Sequence, residues 1–322
     1  MPAFTRLRPR HGGPVADPRV FPDLDALVRL QVASGFSFRA SQPRHSVLRG
    51  RHGSRLRGRG LNFEELRGYQ PGDDLRHVDW RASARRGEAQ VRVYTEERDR
   101  STWLLVNLAQ GMFFGSAHST KAVAAAEFAA LAAWRSLASG DRVGAILFDE
   151  EQLQVYRPLR THAQVVRILD AIVALGRSLR PGRAPGQPRL NDALERVLRF
   201  ARHDALVLLI GDGAGVGKDT VPLVSRLSRH NDCIAGLVYD PMERDLPDAG
   251  PLRATDGTAD WHFDSGAGAL RRAFREDFER RELALTQLSR RRELALLPVH
   301  TALPVAGQLA RLLGARATGP GA

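Results

Sequence analysis

The chain has 322 residues, 43% of them hydrophobic and 26% charged, which suffices for a full core and excludes a disordered polymer. A single cysteine, Cys233, excludes an internal disulfide and points to a reducing compartment, and the lack of any run of about 18 apolar residues excludes a membrane-spanning helix. The net charge of +12 is carried almost wholly by arginine, since Lys121 and Lys218 are the only lysines, and such a basic chain can meet an acidic protein, an anionic lipid or nucleic acid.

Residues 1–20 are rich in Pro, Gly and Arg and read as a mobile tail without the apolar stretch of a secretory signal, so a cytoplasmic location is expected. Residues 23–33 predict a short helix with Leu24, Leu27, Val28 and Val32 on one side. The stretch 40–62 reads as irregular. Between Ala26 and Phe63 there is no acidic residue, while Arg29, Arg39, Arg44, Arg49, Arg51, Arg55, Arg57 and Arg59 accumulate. Only Phe36, Phe38 and Phe63 are interleaved for base stacking, so nucleic acid is not the expected partner; an arginine-rich binder of anionic surfaces stands as an alternative function.

The segment 67–85 is the most informative. Pro71-Gly72 fits a β-turn, with Pro fixing φ at the second position and Gly taking positive φ at the third. Asp73 and Asp74 can cap the next segment, and Arg76 and Asp79, three apart, can pair on one helical face beside the apolar anchor Trp80. No nucleophile stands beside a base. The pattern admits two readings: the charges bond one another and hold the turn, or Arg67, Tyr69, Pro71, Gly72, Asp73, Asp74, Arg76, Asp79, Trp80 and Arg85 form a surface that docks a partner.

Residues 90–96 alternate Val91, Val93 and Thr95 with Arg92 and Tyr94 and predict a strand. Apolar strand-like runs then occupy 103–107, 143–149, 152–156, 206–212, 234–240 and 294–300, and helical periodicity falls between them at 120–137, 162–175, 192–201 and 221–229. Asp192 and Glu195 resemble a helix-start pair, and 176–188 is an expected exposed loop. Near-continuous apolar strands alternating with helices predict an α/β fold: a doubly wound, mostly parallel sheet with helices on both faces and a small N-terminal annex. A last helix over 269–293 aligns Leu270, Phe274, Phe278, Leu285 and Leu288, with its arginines placed on an expected solvated face, or on a partner-binding one. The expected organisation is a tail and short helix at 1–40, a basic module at 41–100, the α/β domain at 101–316 and a flexible tail at 317–322.

In such a sheet ligands bind beyond the carboxyl ends of the strands. One such end, 211–219, resembles a phosphate-binding loop, but Asp212 stands where the first Gly is needed and Asp219 follows Lys218 where Ser or Thr is needed. The dinucleotide spacing is also missing. A nucleotide hydrolase using Asp212 and Lys218 is therefore the last alternative.

The run Arg57-Gly-Arg-Gly-Leu-Asn-Phe-Glu-Glu-Leu-Arg-Gly-Tyr-Gln-Pro-Gly-Asp-Asp-Leu-Arg-His-Val-Asp-Trp-Arg-Ala-Ser-Ala-Arg85 resembles the signature of the domain of unknown function 58 family, whose members carry a von Willebrand factor A-like domain. The resemblance continues through 91–97, Phe114-Gly-Ser116, Lys121 and Gly140-Asp-Arg-Val-Gly144, covering 45–315. It implies a metal-ion-dependent adhesion site built from Asp-x-Ser-x-Ser, a Thr and a later Asp. Here Asn107, Ala109 and Gly111 stand at the first three positions, Asn191 stands for the Thr, and Asp212 remains. Hard divalent cations need several oxygen ligands, so this degenerate site is expected to bind metal weakly or not at all. No cofactor is expected, weak Mg2+ binding is left open, and Asp212 is expected to cap its loop or pair with an arginine. The resemblance further implies a cytoplasmic, non-enzymatic protein-interaction adaptor that works beside a MoxR-type AAA+ ATPase in chaperone-like assembly.

Overall fold

The computed structural model describes residues 5–6, 17–32, 61–70, 78–96, 100–180, 185–255, 260–290 and 294–313. In chain order the elements begin with β1 (Thr5–Arg6), α1 (Leu24–Arg29), β2 (Leu61–Gly68), α2 (Trp80–Arg86), β3 (Gln90–Glu96) and β4 (Ser101–Asn107). Next come α3 (Lys121–Ala138), β5 (Arg142–Phe148), β6 (Leu153–Leu159), α4 (His162–Gly176), α5 (Leu190–Phe200), β7 (Leu206–Gly211) and α6 (Thr220–Ser228). The last are β8 (Asp232–Tyr239), α7 (Pro241–Arg244), β9 (Pro251–Thr255), β10 (Asp260–Asp264), α8 (Gly268–Arg290), β11 (Ala295–His300) and α9 (Val305–Leu312). Contacts divide the chain into two units, 1–43 with 100–322, and 44–99.

The larger unit is built on a six-stranded sheet of order β11-β8-β7-β4-β5-β6, parallel throughout except for β6, which runs antiparallel to β5 at the edge. Counted in chain order within the sheet, the strands lie 3-2-1-4-5-6 when read from β6 inward as an edge-to-edge permutation, which makes the unit doubly wound and puts the switch point between β4 and β7. Period-two alternation divides the core in two. Leu104 and Val106 of β4, with Leu206, Leu208 and Ile210 of β7, enter one cluster, whereas Trp103, Leu105, Val207 and Leu209 enter the other. The first is covered by α1, α3, α4 and α9 through residues such as Leu27, Phe128, Ile168 and Leu309; the second by α5, α6 and α8 through Leu194, Leu227 and Leu285.

Helix α3 is buried on nearly every side, and its alanines suit this, combining high helix propensity with little bulk. Its Trp134 Nε1 donates to the Leu27 carbonyl at 3.0 Å. Where Phe128 crosses β8, a Cβ on Gly236 would lie 3.0 Å from the ring, so this strand position needs a glycine. Cys233 is a buried strand residue of β8, and burial pushes its thiol up to about 12, which marks it as packing rather than a nucleophile.

Several expectations change. The stretch read as a tail supplies β1, which pairs antiparallel with β10 in a separate three-stranded sheet, β1-β10-β9. Arg19 and Val20 carbonyls accept from the Thr120 backbone and hydroxyl at 2.9 Å each, tying this segment to the start of α3. Helix α1 stops at Arg29, so Val32 lies past its last turn and is 93% exposed. The helix expected from Asp192 begins at Leu190, with Asp192 in its first turn receiving Arg189 Nε at 2.6 Å. Among the described residues no helix is long and apolar enough to cross a membrane.

In the smaller unit β2 and β3 form an antiparallel pair whose register slips between Phe63 and Glu65. That bulge breaks the period-two pattern, which is why alternation does not reveal the strand that starts at Leu61. Helix α2 starts on Asp79, whose Oδ1 accepts from Arg81 and Ala82 N–H at 3.0 Å each, and ends on Gly87 at φ 74°. Ser83 Oγ donates to the Asp79 carbonyl and accepts from Gln90 N–H, at 2.8 Å each, fastening helix to strand.

Candidate functional site

The carboxyl ends of β4 and β7 bring Asn107 and Asp212 together, as the switch point requires. Asn107 Oδ1 accepts from Ala109 N–H at 3.0 Å, and its Nδ2 lies 3.4 Å from Asp212 Oδ1. That same oxygen accepts from Ala214 N–H at 3.1 Å, so Asp212 caps the loop after β7. Its other oxygen, Oδ2, receives Lys121 Nζ at 3.0 Å and lies 3.5 Å from Arg281 Nη1. Asp212 therefore both caps its loop and pairs with an arginine, and it also pairs with one of the two lysines.

Glu243 completes the constellation. Asp240 and Glu243 form a capping box at α7, in which Asp240 N–H donates to Glu243 Oε2 at 3.0 Å and Met242 N–H donates to Asp240 Oδ1 at 2.9 Å. This leaves Glu243 Oε1 aimed at Lys121 Nζ, 2.8 Å away, and at Arg281 Nη2, 3.1 Å away. Asp240 is held in turn by Ser116 N–H at 2.8 Å, by the Ser116 hydroxyl at 2.6 Å and by Thr301 Oγ1. From α8, Arg281 also reaches the Asp212 carbonyl at 3.3 Å and Asp277 at 3.1 Å.

The ring of Lys121, Asp212, Arg281 and Glu243 is nearly closed to solvent: the side chains of Lys121 and Asp212 are each 3% exposed. Burial alone would push the Asp212 carboxyl up, but the Lys121 ammonium and the Arg281 guanidinium outweigh it and hold the group below the usual carboxylate range. Burial likewise opposes the Lys121 ammonium, and Asp212 and Glu243 outweigh it and hold that group above the usual lysine range. Lys121 and Asp212 are thus both charged at neutral pH, each answered by its partners.

A divalent cation does not fit this donor set. Both Asp212 oxygens are engaged, Ala109 and Gly111 bring no side-chain oxygen, and Asn191 Oδ1 accepts from Thr220 Oγ1 at 2.9 Å. Among the described residues no group of three or more His, Cys, Asp or Glu is placed to hold a metal. The cavity beside Asn107, bounded by Phe148, Leu190, Gly211 and Leu285, is about 20 Å³, room for one water and not for a metabolite. Lys218 and Asp219 are exposed, and the partners of Asp212 are Lys121 and Arg281 rather than Lys218.

The signature positions present another picture. Pro71, Gly72, Asp73, Asp74 and Arg76 lie outside the described residues. Arg67 sits in β2 opposite Val91, with Nη1 3.2 Å from the Gly68 carbonyl. Asp79 is the cap of α2 and precedes the helix, and Arg85 is exposed in its last turn. Trp80 is 69% exposed and Tyr69 37% exposed, so neither aromatic is consumed by the fold.

Sequence reasoning misses Glu243 and Arg281. Asp240-Pro-Met-Glu243 carries the capping-box spacing that could have found the first. Arg281, three residues after Phe278 and four before Leu285, lies on the apolar stripe itself, and a charge at a core position was the available signal for the second.

Residues 65–286 match the family model described as "Protein of unknown function DUF58". The uncharacterized proteins Rv1480 of Mycobacterium tuberculosis and Mb1516 of Mycobacterium bovis are each 30% identical over 241 residues, covering 73% of this chain and 71% of theirs. Solved structures similar to it include a conserved hypothetical protein BatB from Bacteroides thetaiotaomicron, at 12% identity over 67% of this chain and 100% of that one, with a TM-score of 0.39. The SpRpn10 VWA domain is also similar, at 12% identity over 66% and 94%, with a TM-score of 0.38. The strand order and the antiparallel edge β6 give the larger unit the von Willebrand factor A-like architecture that the signature implied.

Proposed function

This chain belongs to the DUF58 family of proteins of unknown function, and from that premise we propose that it is a non-enzymatic protein-interaction adaptor whose partner is a MoxR-type AAA+ ATPase, acting in the cytoplasm. Family membership and a von Willebrand factor A-like fold support a protein-interaction role. The observation that carries the finer reading is the contrast in availability: the charged groups at the strand ends are spent on one another, while Trp80 and Tyr69 remain exposed on the small unit. Exposed aromatics backed by a rigid capped helix are the material of binding hot spots. The signature segment is the docking element on this reading, with Arg67, Asp79, Trp80 and Arg85 around it.

Co-elution of the purified chain with a purified MoxR-type AAA+ ATPase in size-exclusion chromatography tests the proposal. A shared peak is expected; separate peaks at micromolar concentrations with and without nucleotide would reject the partner. Nucleotide turnover by the chain alone, lost in Lys218→Ala, would reject the non-enzymatic assignment.

Of the arginines between Ala26 and Phe63 on which the anionic-surface alternative rests, Arg39, Arg44, Arg49, Arg51, Arg55, Arg57 and Arg59 lie outside the described residues, but one observation elsewhere favours the same class of partner. Arg202, Arg226, Arg229 and His230 line an open groove of about 330 Å³, floored by Asn231, with no carboxylate in its lining. Binding to heparin or anionic vesicles that falls steeply with salt would move the assignment there; salt-insensitive or absent binding removes it.

A further inference from the structure

The chain uses lysine twice among 48 Lys and Arg residues, and the two are placed oppositely: Lys218 is exposed on a loop, Lys121 is buried at the strand ends. A sequence that supplies nearly all its cations as arginine places, at this point, the compact ammonium. The geometry explains the choice. Between Asp212 Oδ2 and Glu243 Oε1, at 3.0 and 2.8 Å, there is room for a point cation with several donors, and the planar guanidinium of Arg281 closes the other side of the same two carboxylates. Asp212 Oδ2 is also the oxygen that faces Gly111, whose added Cβ would lie 3.6 Å from it. The Asp212 oxygen that faces the third implied ligand position is thus the atom to which both cations bind.

We infer that Lys121 and Arg281 together take the place of a divalent cation at Asp212, making the strand-end site a permanent ionic clamp that fastens α8 to the segments following β7 and β8 and neither requires nor admits Mg2+. The clamp joins four parts of the chain: α3 through Lys121, the end of β7 through Asp212, α7 through Glu243 and α8 through Arg281. Leu285, one turn beyond Arg281, packs 3.1 Å from the position a Gly213 Cβ would take, so the same helix is seated by apolar contact beside its charged one. Two positive charges next to Asp212 repel a third cation, and admitting one means expelling an ammonium and a guanidinium from their buried partners. The clamp is the same whichever protein the chain docks.

Thermal unfolding of the full chain decides it, comparing wild type, Lys121→Met, Asp212→Asn and the double variant, each in EDTA and in millimolar Mg2+. Wild type is expected to melt at the same temperature in both. Each single variant leaves the ring of two cations and two anions with one unbalanced buried charge and should lose roughly 6 °C or more in Tm, while the double variant, which restores the balance through the remaining Arg281–Glu243 pair, should recover at least half of that loss. Additive losses in the double variant would overturn the clamp. A Mg2+-dependent rise in wild-type Tm that disappears in Asp212→Asn would overturn the exclusion of metal. Should the single variants not fold, calorimetric titration of Mg2+ into wild type still decides: no saturable heat supports the inference, and one-site binding abolished by competing EDTA sinks it.

Discussion

At the strand ends Lys121, Asp212, Glu243 and Arg281 turn inward and answer one another, whereas on the small unit Trp80, Tyr69 and the α2 arginines face solvent. Both regions are rich in charge and both fall within the matched family segment, yet the first has closed its valences and the second has left its large apolar groups open. Buried ion pairs whose members all have partners hold geometry, because removing any one exposes the rest to an uncompensated desolvation cost. Exposed aromatics contribute little to the fold they sit on and much to whatever covers them. The difference assigns stability to the first region and, on the function proposed above, recognition to the second.

The largest effect expected from breaking this contrast is at Glu243. Glu243→Ala removes an acceptor from Lys121 and from Arg281 and opens the α7 capping box, and should cost about 3–5 kcal/mol in urea unfolding. A loss below about 1 kcal/mol would show that the strand-end ring is not holding the fold.

Acid sharpens the contrast next. Asp212 is held below the usual carboxylate range, so its contribution is complete above the unfolded value of about 3.9 and is lost as pH falls through the lower folded value. Lys121 is held above the usual lysine range, so its contribution is complete below about 10.4 and is lost as pH rises through its higher folded value. Stability should therefore be flat in this respect across the neutral range, with an acid limb below about pH 4 that is shallower in Asp212→Asn. Equal acid limbs in wild type and variant would count against the pairing.

A smaller and local effect belongs to the other region. Asp79→Ala leaves two N–H groups at the start of α2 without their acceptor and should cost about 1 kcal/mol, read as faster amide exchange confined to that helix. Smallest of all, Trp80→Ala should change unfolding free energy by no more than about 0.5 kcal/mol, because the side chain is already largely in water. A large loss there would mean that Trp80 belongs to the fold after all.

The legible parts of the chain are those with a strong period. The four inner strands of the main sheet, β4, β5, β7 and β8, carry near-unbroken apolar runs because both faces are covered, and all six strands fall within a few residues of 103–107, 143–149, 152–156, 206–212, 234–240 and 294–300. The small unit is legible only at β3, since the bulge between Phe63 and Glu65 erases the alternation of β2. Short α7 and the β9 and β10 strands lack the length for a period to emerge. At the site, the loss of hydroxyl ligands at Ala109 and Gly111 and the pairing of Asp212 with an arginine can be read from residue types. Which arginine is harder to read, because α8 carries many; only the place of Arg281 between Phe278 and Leu285 on the apolar stripe separates it from the rest. Lys121 stands among the residues that carry the family resemblance, but only the fold brings a residue of α3 to a carboxylate 91 positions later.

The division of labour between the two regions is tested most directly by calorimetric titration of a purified MoxR-type AAA+ ATPase with wild type and with Trp80→Ala, both confirmed folded by circular dichroism. Binding by wild type and at least roughly tenfold weaker binding by Trp80→Ala, with unfolding free energies unchanged, is the predicted result. Equal affinity of the two proteins, or no binding by wild type, would contradict it.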